Sequence, residues 1–466
     1  MNFFLIAALI CGLAYCGKFD PTPDEISRGL VLKPKGTWGQ QARKQNSLRL
    51  LCIGGSNTEK DNFNAGYVSL LHKYIQNNIT EDSSFTTSSY ALNRGVSGMM
   101  PIYFTGKKFD FETLDASIWP NVVLMEFTVN SGNNVVWDNI CRKLETLVRS
   151  IMYKYAKKGL PSPDFMLYEV LFMRDVFLKS ETANTIEARR DWMEEFSTTL
   201  YNKTRNVNML QTEFASFYGF PVLSWGEVTF PALVRQFLSE TRTLYVEKLQ
   251  VVKTVWPYSA DGVHMSIPFG TTFAVNHILG PFFRDMMQPR EEVGTPFPVD
   301  MRMFPPQRAE IEMISYSSID PYGALPLQGI VHNNSDWSFI TTVHGQMCYG
   351  SQVANSVGRL VFDVPEDCHM PSVPCSVEIS FMHSWDRNFV GKTQCTLYSV
   401  SKAGAFTQKG RTVLIDGTSG VGQATFPVKS MLSRNLDHGL HAVQCVNLDG
   451  KHACITALDI NGFATV

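Results

Sequence analysis

Two hydrophobic periods alternate between Leu48 and about Gln288. Short, nearly continuous apolar runs occur at LRLLCIGG (48–55), NVVLMEFTV (121–129), DFMLYEVLF (164–172) and FPVLSWGEV (220–228). Longer stretches with helical spacing lie between and around them, as in VSLLHKYIQN (68–77), WDNICRKLETLVRSIMYKYAKK (137–158) and TIEARRDWMEEFSTTLYNKTR (185–205). Continuous apolar strands alternating with helices predict a parallel sheet covered on both faces. The fold class of this region is α/β, a doubly wound parallel sheet. Residues 17–47 are polar and turn-rich, with PTPDE and KPKGTWGQ, and read as a lead-in segment.

The helical period disappears past residue 288. PREEVGTPFPVDMRMFPPQR (289–308) holds five prolines and reads as the start of a linker placed over 289–325. WSFITTVHG, GRLVFDVP, CSVEISFMHSW, TQCTLYSVS, RTVLIDG and HAVQCVNL follow. They are short, β-branched and bounded by Gly, Pro, Asn or Asp, which predicts an all-β sandwich or jelly roll over 326–466.

Composition sharpens this picture. Lys+Arg 41 against Asp+Glu 43 gives a net charge of −2, which argues against a broadly nucleic-acid-binding surface. Hydrophobic residues at 44% and charged residues at 18% describe a folded chain. The ten cysteines fall in two regimes, with Cys348, Cys368, Cys375, Cys395, Cys445 and Cys454 crowding the tail. None has the C-x2-C spacing of a zinc site, so the tail cysteines read as disulfide candidates of open connectivity. Cys52 reads as a core thiol.

FFLIAALICGLAYC (3–16) is too short to span a bilayer comfortably and fits the h-region of a signal peptide over residues 1–16. Cleavage after Cys16 would leave eight cysteines, an even number. No later apolar stretch is long enough for a second span. Three N-x-S/T sequons begin at Asn78, Asn202 and Asn333 and agree with a secretory route. The expected location is outside the cell or in the secretory lumen.

Four short elements carry candidate chemistry. In Gly54-Gly55-Ser56-Asn57-Thr58, two glycines let an apolar strand turn tightly into a helix. That places Ser56 at the carboxyl edge of a parallel sheet, where open α/β folds hold their sites. Ser259–His264 (SADGVH) sets Asp261 three residues before His264. On a turn the two face one side, so the histidine can take a proton from a serine while the aspartate fixes its tautomer. Asn93-Arg94-Gly95-Val96-Ser97-Gly98 and Glu126-Phe127-Thr128-Val129-Asn130 each follow or end a strand. The Gly98 amide, the Asn130 side chain and the Ser56 amide form a candidate oxyanion hole. Glu169 reads as a carboxylate on the rim of the cleft, and the seven tail histidines read as surface or hydrogen-bonded residues.

The order of these elements resembles the SGNH (GDSL-like) hydrolase superfamily over residues 48–288. The resemblance implies a flavodoxin-like three-layer fold, with Ser56 as nucleophile, His264 as base and Asp261 as its orienter. It implies Ser56, Gly98 and Asn130 as oxyanion donors, and no metal or organic cofactor. Gly54-Gly55-Ser56 stands where the family often has Gly-Asp-Ser, and Asn130-Ser131 where it often has Asn-Asp. Asp336–Phe339, Gly358–Phe362 and Ser380–Trp385 look like the accessory β-domain that follows some eukaryotic SGNH domains. The implied activity is a serine esterase on an acylated small molecule or glycan. An acyltransferase with the same triad, and a non-catalytic glycan- or protein-binding module, remain open at this point.

Overall fold

The computed structural model describes residues 21–60, 64–79, 89–97, 99–105, 109–131, 137–170, 201–229, 231, 259, 264–267, 269–289, 300–305, 308–318, 325–332, 336–341, 347–364, 375–383, 390–410, 412–418 and 426–465. The expected signal peptide, Gly98 and Asp261 lie outside them. The chain forms two compact units. The first comprises 1–100, 117–145 and 159–303, and the second 101–116, 146–158 and 304–466.

The first unit holds a six-stranded sheet. Its strands are β1 (Leu30–Leu32), β2 (Arg49–Gly54), β3 (Tyr90–Gly95), β4 (Val122–Glu126), β5 (Asp164–Glu169) and β6 (Val222–Ser224), in the order β1-β6-β5-β4-β2-β3. All neighbours from β6 to β3 are parallel. That is the flavodoxin-like doubly wound order, as expected. Every residue of β2 and β4 is buried, so a continuous apolar run, not an alternating one, suits both.

The described helices include α1 (Ser56–Glu59), α2 (Tyr67–Asn78), α3 (Thr128–Ser131), α4 (Trp137–Lys157), α5 (Tyr201–Tyr218), α6 (Phe269–Phe273) and α7 (Gly280–Met287). A π-helical stretch, Ala274–Leu279, joins α6 to α7. Tyr67, Val68, Leu71 and Ile75 form one buried face of α2. They join Leu50, Cys52, Leu124, Met166 and Tyr168 of the sheet, and Val275, Leu279 and Phe283, in one core cluster.

The lead-in segment is part of this unit. Leu30–Leu32 adds an antiparallel edge to β6, and the buried Trp38 donates its indole N–H to the Phe165 carbonyl at 2.8 Å. One indole and three strand residues are enough to tie in a stretch whose composition is that of a loop.

The second unit carries two largely antiparallel sheets. Its strands are β7 (Arg308–Ser317), β8 (Leu325–Pro326), β9 (Val331–His332), β10 (Ser338–Thr341), β11 (Met347–Ser351), β12 (Val357–Val364), β13 (Cys375–His383), β14 (Lys392–Val400), β15 (Phe406–Gln408), β16 (Val413–Asp416), β17 (Phe426–Leu436), β18 (Gly439–Asn447) and β19 (Ala453–Thr465). One sheet runs β10-β11-β19-β13-β17, with β7 and β8 attached through β19; the other runs β15-β14-β18-β12-β9, with β16 on β14. Leu360, Phe362, Leu397 and Val443 of one sheet and Val377, Ile379, Leu458 and Ile460 of the other share a core, the arrangement of a sandwich.

The linker expected over 289–325 needs correction. Ten of its residues, Arg308–Ser317, are strand β7, paired along β19. Glu310-Ile311-Glu312-Met313 alternates as a strand does, but the neighbouring Pro305-Pro306 masks the signal. Disulfides join Cys348 to Cys454 and Cys395 to Cys445, the latter directly opposite each other on β14 and β18. Cys375 is also disulfide-bonded. Among the described helices, none is long and apolar enough to cross a membrane.

Candidate active site

Strand register builds the site. Gly54 stands opposite Gly95 on one side and Glu126 on the other, so the carboxyl ends of β3, β2 and β4 form one row. The chain turns directly from Gly54 into α1, whose first residue is Ser56. The turn lies too close to its neighbours for side chains. A Cβ on Gly54 would sit 2.3 Å from Thr58 Oγ1 and 2.5 Å from the Glu126 carbonyl oxygen. A Cβ on Gly95 would sit 2.2 Å from the Glu59 nitrogen.

His264 meets the turn from the far end of the chain. Its Nε2 is 2.8 Å from Ser56 Oγ, across 208 residues of sequence. A serine that donates to Nε2 requires the imidazole tautomer protonated at Nδ1. The histidine and the residue after it are both tied. Its carbonyl accepts the Ser259 hydroxyl at 2.8 Å, and Ser259 and Met265 form an antiparallel bridge. The Met265 amide donates to Asn57 Oδ1 at 2.9 Å, and Asn57 is buried.

The other expected members divide. Asn130 lies in α3, immediately beyond β4, but its side chain is outside the description. Gly98 and Asp261 fall outside the described residues altogether. The stretch before Gly98 is held in place: the Ser97 amide donates to Glu59 Oε2 at 3.1 Å, and the Ser97 hydroxyl donates to the same oxygen. The Val96 amide donates to the Gly54 carbonyl at 3.0 Å.

Beneath the turn is a polar group that the motifs did not single out. Glu126 is 1% exposed, and its main-chain oxygen accepts the Gly55 amide at 3.2 Å. Its carboxyl accepts the Thr58 hydroxyl at 3.2 Å, and burial pushes it up to about 8. Its only sequence signal is a carboxylate closing an otherwise apolar strand, VVLME.

Glu169 is not a rim carboxylate. It is 1% exposed, bonded to the Thr212 hydroxyl at 3.1 Å, and pushed by burial to about 8. The strand end is covered rather than open. Cys52 is a buried free thiol whose titration burial drives upward, as a core position requires.

No protein-family model matches the chain, and no curated protein sequence matches it. Solved structures do. The crystal structure of a two-domain esterase (CEX) active on acetylated mannans superposes with a TM-score of 0.52 at 13% identity, covering 95% of this chain and 99% of that one. The chain has the two-domain fold of that esterase. Its structure co-crystallized with mannopentaose gives a TM-score of 0.51 at 11% identity, covering 95% and 98%. An acetyl xylan esterase, AlAXEase, aligns over 49% of this chain and 97% of its own at 14% identity, with a TM-score of 0.30. The α/β unit and the all-β unit expected from the sequence are both present in that two-domain fold.

Proposed function

We propose that the chain is a serine ester hydrolase of SGNH type that removes acyl groups from an O-acylated glycan outside the cell or in the secretory lumen. The observation that carries this reading is the 2.8 Å approach of His264 Nε2 to Ser56 Oγ at the carboxyl edge of the parallel sheet. Further support comes from the fold shared with an esterase active on acetylated mannans, and from disulfides in the β-unit, which persist in oxidising compartments. The sequon at Asn78 is exposed at the end of α2, as glycosylation would need.

In this mechanism His264 takes the Ser56 proton as Oγ attacks the ester carbonyl. The tetrahedral oxyanion is held by the amides of Ser56 and Gly98 and by the Asn130 side chain. His264 then gives its proton to the departing alcohol. Water, deprotonated by the same histidine, hydrolyses the acyl-serine and restores Ser56. Asp261 holds the imidazole with Nδ1 protonated and stabilises it when charged. No step uses a metal or organic cofactor.

The test is hydrolysis of p-nitrophenyl acetate, and acetate release from acetylated glycans, by the wild type and by Ser56→Ala. Loss of both activities in the variant is expected, at about 10³-fold or more. Equal activity in the two proteins would exclude Ser56 as the nucleophile.

A further inference from the structure

We infer that Glu126 is a positioning residue for Ser56: its main-chain oxygen holds the turn before the nucleophile, its carboxyl holds the turn after it, and together they set Oγ against His264. The inference rests on the hydrolase reading and deepens it.

The contacts bracket the serine. Gly55, immediately before it, donates its N–H to the Glu126 main-chain oxygen at 3.2 Å. Thr58, two residues after it, donates its hydroxyl to the Glu126 carboxyl at 3.2 Å. A hydroxyl has one proton, and that of Thr58 goes to Glu126 Oε2. The Tyr67 hydroxyl, 2.9 Å from Thr58 Oγ1, is therefore the donor in its own bond. A chain of bonds then runs from α2 through the turn to the end of β4, and Tyr67 at its far end is fully buried. Tyr168, whose ring centroid is 5.5 Å from that of Tyr67, closes the pocket from β5.

The carboxyl is uncharged in this setting. Burial pushes it up to about 8, and burial raises Tyr67 and Tyr168 as well. Oε2 is the acceptor, so the proton sits on Oε1, which has no hydrogen-bond partner among the described residues. A glutamine would place its NH2 at that same spot and keep its carbonyl under the turn. Glu126→Gln therefore mimics the resident form, and Glu126→Ala removes the carboxyl's hold on Thr58. A shift of about 1 Å in a reacting atom costs on the order of 10²-fold in rate.

The experiment is steady-state hydrolysis of p-nitrophenyl acetate by the wild type, Ser56→Ala, Glu126→Gln, Glu126→Ala and Thr58→Val, with a melting curve for each. Glu126→Ala should lower kcat by about 10–100-fold with KM within about twofold. Thr58→Val keeps the side-chain shape and guards against a misfolded alanine variant. It should lower kcat by about 3–10-fold, since the Glu126 carboxyl loses its donor from the turn. Glu126→Gln should return kcat to within about threefold of wild type. Wild-type kcat in both Glu126→Ala and Thr58→Val, or a glutamine variant as slow as the alanine variant, overturns the positioning role. Activity that survives Ser56→Ala overturns the hydrolase mechanism itself, and the role of Glu126 with it.

Discussion

Asn57 Oδ1 accepts the Met265 backbone N–H at 2.9 Å, one residue beyond each member of the Ser56–His264 pair. One side chain thereby joins the serine-bearing turn to the histidine-bearing segment. Asn57→Ala leaves a buried N–H without its acceptor, which costs about 1–3 kcal/mol. The histidine segment then loses its register against the turn. A fall in kcat of about tenfold is expected with KM nearly unchanged. Asn57→Asp keeps an acceptor and should retain more activity than the alanine variant. Equal kcat in alanine and wild type would show that His264 is held by Ser259 and its own loop.

Gly95→Ala tests the close approach of β3 to α1. The new methyl would sit 2.2 Å from the Glu59 nitrogen and 2.6 Å from the Thr58 carbonyl carbon, both backbone atoms. Neither end is a flexible side chain that can swing away, so the turn itself must move. Destabilisation of about 1–3 kcal/mol is expected from the urea midpoint, with esterase activity lost below that of an equally destabilised surface variant. An alanine variant of wild-type stability and rate would mean that β3 and α1 have slack.

The legible parts of this molecule were those whose cause is local. β2 and β4 announce themselves because strands buried on both faces are apolar throughout. β12 announces itself because Leu360, Phe362 and Val364 alternate with outward positions. Ser56 and His264 could be singled out as candidates because a glycine turn and a loop histidine sit in short motifs, and the structure brings the two together. β1 is three residues in a polar stretch, and β7 follows a proline pair, so neither offers a clean period. The role of Glu126 depends on the register of β4 against β2, and that of Asn57 on a contact 208 residues away. No window of sequence contains either relationship.

The two described disulfides should stabilise the β-unit through its unfolded state. They close loops of 50 and 106 residues, worth about 4–5 kcal/mol each in the chain-entropy account. Cys395→Ala with Cys445→Ala should lower the melting temperature markedly. Because both disulfides lie among strands of the second unit, p-nitrophenyl acetate hydrolysis at low temperature should change little. Unchanged melting would mean that the sandwich core alone sets the stability of that unit.

Three buried carboxyls give the first unit a signed pH dependence. Burial pushes Glu126 and Glu169 to about 8 and Asp164 to about 7. Unfolded, each titrates near about 4. Between those values the folded chain holds protons that the unfolded chain has released. Stability is therefore greatest below the unfolded value, falls as pH rises from about 4 to 8, and levels off above the folded value. Glu169→Gln removes one titrating group outside the proposed catalytic pair, so its melting temperature should fall less steeply than that of the wild type between pH 5 and 8. Glu126→Gln should flatten the curve by a similar amount, and the double variant by about the sum, since the two act on separate protons. Parallel melting curves for wild type and both variants would show that these carboxyls are ionised in the folded state, and would remove the uncharged form of Glu126 on which its substitution by glutamine relies.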